Sequence, residues 1–159
     1  MYDYLKNIDF LNVSPLTWEG IMVCVFCGFV VGFERQLFGK PAGIRTSILI
    51  CLGTYIFVSL SVVVTNAVSD PARVIGQVVT GVGFLGAGVM FFSTRGSVVG
   101  LTSAAIIWLL ASVGCMVALG YHRAAILISI LMIAILLSMS ALDKFVFKMK
   151  DVDDKRREE

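Results

Sequence analysis

A chain of 159 residues that is 58% hydrophobic and 15% charged, with a mean hydropathy of +0.91, cannot cover its apolar surface as a water-soluble domain. The net charge of +2 shows no nucleic-acid patch, so the placement of the charges carries more information than their sum. One membrane domain accounts for the composition.

The first residues, MYDYLKNIDFLNVSP, have no basic stretch followed by an apolar one, which predicts no cleavable signal peptide. Leu5, Ile8 and Leu11 share one face of a short surface helix within an N-terminal segment, 1–14. The uncharged run Gly20–Phe33 has 14 residues, roughly 21 Å of helix, and is short for a bilayer. Ser14-Pro15 reads as an N-cap and first turn, and Trp18 suits an interface, so the first span is expected over about 15–33. Cys24-Val-Phe-Cys27 is formally CxxC, but its surroundings are hydrocarbon, and the thiols read as small apolar residues.

The connection Glu34–Arg45 is the longest, and Gly39, Pro41 and Gly43 shape it. Four uncharged runs follow: Thr46–Ser69, Val74–Thr94, Gly96–Tyr121 and Ala124–Leu142, of 24, 21, 26 and 19 residues. Each is long enough to span, giving helices over about 46–68, 71–93, 97–119 and 123–142. Asp70 and Pro71 read as the cap and first residue of the third helix. Arg95-Gly96 and His122-Arg123 read as tight joints between neighbours. The segment 143–159 carries six basic and six acidic residues, a solvated helix end or a disordered tail. The expected fold is therefore an all-α, five-transmembrane-helix bundle over 15–142.

Five spans put the termini on opposite sides. Arg35, Lys40, Arg45, Arg95 and the six basic residues of the tail make ten on one side, against Lys6, Arg73 and Arg123 on the other. That excess places the C-terminus in the cytoplasm and the N-terminus outside.

The third run contains VTGVGFLGAGVM. Its Gly81-Val-Gly83-Phe-Leu-Gly86 is a literal GxGxxG, without the preceding strand and following acidic residue that a dinucleotide site needs. In lipid, glycine instead lets another backbone come close. Gly76, Thr80, Gly83 and Ala87 make one small-residue face, and Gly81, Gly86 and Gly88 are further helix-packing candidates. The expectation is a central helix with the other spans around it, and a face for self-association.

Three groups are candidates for chemistry. Glu34, Arg35, Gln36, Lys40 and Arg45 form an ionisable cluster at a helix end, either an ion or docking site or a pin for the helix. Asp70, Arg73 and Gln77 offer a cap or an external cation entry site. Thr80, Thr102 and Ser103 are hydroxyls within spans, where hydrogen bonds between helices suffice to explain them. Glu34 and Asp70 are the two magnesium candidates. Trp108 reads as a packing residue. No nucleophile–base pair and no HExxH is present, so no enzymatic activity is expected.

In chain order, Glu34-Arg35-Gln36, Gly39-Lys40-Pro41-Ala42-Gly43-Ile44-Arg45-Thr46, Asp70-Pro71-Ala72-Arg73, Gly81–Gly88 and Gly100-Leu101-Thr102-Ser103-Ala104-Ala105 with Trp108 resemble the MgtC/SapB family of bacterial membrane proteins. The resemblance covers about 16–142. It implies a multi-pass protein of the bacterial inner (plasma) membrane with a cytoplasmic C-terminus. It implies a role in magnesium homeostasis, in growth at low magnesium and in survival under host stress, hence in virulence. Two roles follow from it: an accessory regulator of membrane partners such as the F-type ATP synthase, or a magnesium transporter that needs a homo-oligomer. Mg2+ is the one implied ligand. Compared with longer members, the chain reads as a short form lacking a soluble ACT-like C-terminal domain, and Thr102-Ser103 stands where two threonines are common.

Overall fold

The computed structural model describes residues 12–64, 71–92 and 98–157. Its order is α1 (Trp18–Leu37), α2 (Ile44–Val64), α3 (Pro71–Gly88), β1 (Phe91–Phe92), β2 (Val98–Val99), α4 (Leu101–Ala118) and α5 (His122–Arg157). Among the described residues, four helical stretches are long and apolar enough to cross a membrane: Trp18–Leu37, Ile44–Val64, Leu101–Ala118 and His122–Met139. The apolar part of α3, Ala72–Gly88, is shorter. The expected surface helix near Leu5, the cap at Asp70 and the joint at Arg95 lie outside the described residues.

The core belongs to α1, α2 and α4. Cys24, Cys27 and Val31 of α1 meet Ile50, Cys51 and Tyr55 of α2 and Ile106, Ile107, Leu110 and Val113 of α4. All four cysteines are free thiols. Helix α5 covers α1 and α4 through Ala125 and Met132, and α3 lies against α4 and α2.

Lipid tails are as apolar as leucine, so helices in a membrane gain most from close contact and internal hydrogen bonds. Both are found here, the closest contact being between α1 and α2. A Cβ added at Gly28 would stand 2.6 Å from the Ile48 Cα, and one at Gly32 2.6 Å from the Ile44 Cα. Only glycine permits that approach. Gly114 of α4 plays the same part, since a Cβ there would stand 2.5 Å from the Cys51 carbonyl oxygen. Buried hydroxyls bond within their own helices: Thr54 donates to the Ile50 carbonyl at 2.8 Å, and Ser129 to that of Ala125 at 2.9 Å. Among the described residues no buried hydroxyl lacks a hydrogen-bond partner.

The third helix is peripheral, not central. Only Val82 of α3 joins the buried core, and Gly76, Thr80, Gly83 and Ala87 are all exposed. Of its glycines only Gly86 touches a neighbour, with 3.4 Å between an added Cβ and the Ala104 Cβ; Gly76, Gly81, Gly83 and Gly88 face open space. The reason is register. Gly86 sits roughly 90° around the helix from the middle of the small-residue stripe, so the side that meets α4 is not the stripe. Helix α3 is continuous through its glycines and stops at Gly88. Trp108 is half-exposed on α4, outside the core.

Three boundaries also differ. Helix α1 begins at Trp18, capped by Thr17, whose hydroxyl accepts from the Gly20 N–H at 3.0 Å. The Thr17 N–H in turn donates to the Tyr55 hydroxyl at 2.8 Å, fixing the cap to α2, which Ser14-Pro15 cannot reach. Helix α1 also runs on through Glu34, Arg35 and Gln36, so the loop to α2 is only Phe38–Gly43. Between α3 and α4 the chain forms a small antiparallel hairpin, with Phe91 opposite Val99 and Phe92 opposite Val98, in place of a tight helix-to-helix turn.

Candidate functional site

The charged cluster forms where α1 ends, α2 begins and α4 starts. Its scaffold is the turn Phe38–Gly43. Gly39 and Ala42 adopt left-handed backbone conformations, with φ of 60° and 61°. For alanine that conformation is unfavourable by about 1 kcal/mol. It is held because the Ala42 carbonyl accepts from the buried Ser47 hydroxyl at 3.0 Å, and the Lys40 N–H donates to the Arg35 carbonyl at 2.9 Å. The turn thereby folds over the last turn of α1. Gln36 is exposed and its side chain lies over Gly43.

Arg35 is 3% exposed. Its Nε donates to the Pro41 carbonyl at 3.3 Å, and its Nη2 donates to the Ser103 hydroxyl of α4. One guanidinium therefore ties α1, the turn and α4 together, using the fixed fork that lysine lacks. Glu34 is 8% exposed, and its Oε2 has no hydrogen-bond partner. A buried carboxylate oxygen without a donor is costly, so it marks a place where a ligand, a proton or water belongs.

A cavity of about 720 Å³ opens beside these groups. Glu34, Arg35, Lys40, Thr102 and Ser103 supply its polar lining, and Phe38, Phe91, Val99, Leu136 and Met139 its apolar lining. Lys40, Arg45 and Thr102 are exposed. A second cavity, about 620 Å³, lies between α2 and α3. Its walls are apolar except for Thr46, Thr54 and Gln77. Thr80 is outside it, donating to the Gly76 carbonyl at 3.0 Å, and Arg73 is exposed.

The structure thus unites Glu34, Arg35, Lys40 and Ser103 with Thr102, and leaves Gln77, Thr80, Arg73 and Arg45 apart from them. Asp70 lies outside the described residues. Sequence reasoning missed the apolar half of the first cavity, whose residues come from the turn after α1, from β1 and β2, and from α5. It also missed Gly28 and Gly32, although their four-residue spacing was in view. Magnesium does not fit the first cavity as a protein-held ion. Mg2+ takes six oxygens, several of them from water, and here the one carboxylate in the lining is accompanied by a guanidinium and an ammonium, which repel a dication. Among the described residues no group of three or more His, Cys, Asp or Glu could hold a metal.

At the far end of α1, Glu19 Oε1 and His122 Nδ1 are 2.8 Å apart, pairing the starts of α1 and α5.

Comparison with known proteins gives the family. The MgtC family model matches residues 21–145. Over 123 residues the chain is 37% identical to the "Putative magnesium transporter YhiD" of Escherichia coli, covering 73% of this chain and 56% of that protein. Over 111 residues it is 40% identical to protein MgtC of Brucella abortus, covering 68% of this chain and 44% of that one. A protein of Haemophilus influenzae is 34% identical over 137 residues, covering 81% and 56%. The chain thus spans about half the length of these curated relatives. No solved structure matches it significantly. A match across most of the chain, with its buried Glu34-Arg35 pair and its Gly-rich third helix inside the matched region, means that this protein belongs to the MgtC family.

Proposed function

We propose that this protein is a multi-pass protein of the bacterial inner membrane that serves magnesium homeostasis as an accessory, regulatory component. All five helices cross the bilayer in this reading. The excess of basic residues around Arg35, Lys40, Arg45, Arg95 and the tail places the Phe38–Gly43 turn in the cytoplasm and the N-terminus outside. The turn and the exposed Gln36, Lys40 and Arg45 then face cytoplasmic or membrane partners, of which the F-type ATP synthase is the one the family resemblance suggests.

One observation carries the regulatory role. The residues that would mark an ion path do not converge: Glu34 lines one cavity and Gln77 another, between α2 and α3, while Asp70 lies outside the described residues. Arg35 locks the first cavity's frame. That arrangement suits a rigid docking end better than a conduit. The test is magnesium uptake into liposomes that contain only the purified protein, beside Glu34→Gln and Asp70→Asn. The expected uptake equals that of protein-free liposomes. Uptake above that level that falls in either variant overturns the regulatory reading.

A second reading has one observation in its favour. The stripe Gly76, Thr80, Gly83 and Ala87 is uncovered. A second copy laid on it would give the homo-oligomer that a magnesium transporter of this size would need. The name carried by YhiD agrees with it. The same uptake experiment separates the two.

A further inference from the structure

We infer that the cavity beside Glu34 binds the headgroup of an ethanolamine phospholipid, its ammonium on Glu34 and its phosphate on Lys40. The inference does not rest on the proposed role in magnesium homeostasis and holds for either leaflet.

The first ground is the unpartnered oxygen. Glu34 Oε2 is buried and has no donor, and Glu34 lines the cavity. A primary ammonium brings three N–H donors and a positive charge, which together satisfy a buried carboxylate.

The second ground is the mix of charges. Glu34, Arg35 and Lys40 all line the same space, one anionic group among two cationic ones. Arg35 gives two of its donors to Pro41 and Ser103, and the exposed Lys40 ammonium and Thr102 hydroxyl are further donors for an anion. A site with an acceptor and a donor side by side matches a zwitterion. A bare anion would meet Glu34 repulsion, and a bare dication would meet Arg35 and Lys40.

The third ground is depth. The apolar stretch Trp18–Leu37 ends at this cavity, Leu101–Ala118 begins at it, and Leu136 and Met139 close the stretch His122–Met139. Hydrocarbon gives way to headgroups at that level. Phe91, Leu136 and Met139 lie where acyl chains would pass, and Lys40 where phosphate would sit. A volume of about 720 Å³ is ample for the headgroup of one lipid. Basic pockets between spans hold lipid headgroups for the same reason.

The experiment is native mass spectrometry of the purified full chain in detergent with phosphatidylethanolamine, phosphatidylcholine or phosphatidylglycerol, all with the same acyl chains. Choline keeps the charge and phosphate but has no N–H. The expected result is a preference for ethanolamine over choline on the order of tenfold, the size of a charge-assisted hydrogen bond. Glu34→Gln should abolish that preference, and Lys40→Gln should weaken ethanolamine and glycerol lipids alike. Equal binding of ethanolamine and choline lipids, tighter binding of the glycerol lipid, or a preference that survives Glu34→Gln overturns the inference. So does a Glu34-dependent thermal shift with Mg2+ alone and none with the ethanolamine lipid. If Glu34→Gln does not fold, the wild-type chain is measured with mono-, di- and trimethylated ethanolamine lipids. Binding should fall with each N–H removed, and a flat series overturns the inference.

Discussion

Helices α1 and α3 are both rich in glycine and use it in opposite ways. In α1, Gly20, Gly28 and Gly32 are buried, and each lies where an added Cβ would meet α2. In α3, which has more glycines in fewer residues, four of five face open space. Spacing explains the difference. Gly20, Cys24, Gly28 and Gly32 recur every four residues and fall within an arc of about 120°. The glycines of α3 are scattered around its axis. Glycine is a packing device only where several fall on one face and a partner backbone is there to receive them. Density alone, the feature that first draws the eye to α3, carries no such information.

The strongest way to break this comparison is to give α1 the side chain it excludes. Gly28→Val and Gly32→Val each force a branched side chain into the backbone of α2. We expect a loss of about 3 kcal/mol or more, enough to remove most folded protein from detergent extracts. Even Gly28→Ala should lower the unfolding temperature, because the first added atom already meets the Ile48 Cα. The check is the monodisperse fraction by size exclusion and the midpoint of thermal unfolding. A Gly28→Val protein as stable as wild type would refute the close packing of α1 on α2.

A smaller effect sharpens where the tight packing of α1 ends. Arg35 holds the last turn of α1 to Pro41 and Ser103. Arg35→Lys keeps the charge but loses the fork that reaches both acceptors. The expected cost is about 2 kcal/mol, since a buried cation keeps at most one of its bonds. Ser103→Ala should cost less than Arg35→Lys, and adding it to Arg35→Lys should cost little more, as for two residues of one network. Strict additivity in that double-mutant cycle would mean that the two side chains are not coupled.

How far all this was legible follows from the same particulars. The apolar runs, their punctuation by charge and the family motifs stand in the sequence, and the four long spans follow from them. The loop from Glu34 to Arg45 is shorter than the charges suggest, because Glu34, Arg35, Gln36 and Leu37 are good helix formers and carry α1 on past the apolar run. Burial of Arg35 against Ser103, 68 positions away, could not be read from spacing at all, since it depends on α4 crossing the end of α1. The hairpin at Phe91 and Val99 was hidden by an apolar stretch long enough to read as two spans with a tight joint. The cavity's apolar half was hidden for the same reason: Leu136 and Met139 look like any residues of a span until the helices are placed.

The smallest expected effect on the single chain tests the other half of the comparison. In α3, Gly83 has nothing within 4 Å of an added Cβ, and its neighbour Phe84 is 82% exposed. Gly83→Leu should therefore leave the isolated protein's unfolding temperature unchanged or slightly higher, because leucine favours helix over glycine by roughly 1 kcal/mol. If a second copy packs on the stripe, the same substitution should abolish crosslinking between copies in membranes, since a leucine would hold two backbones apart. Unchanged crosslinking with unchanged stability would mean that the stripe simply faces lipid. A fall in stability of the single chain would be the more serious result, because it would mean that α3 packs inward on its stripe and that the contrast between the two glycine helices is false.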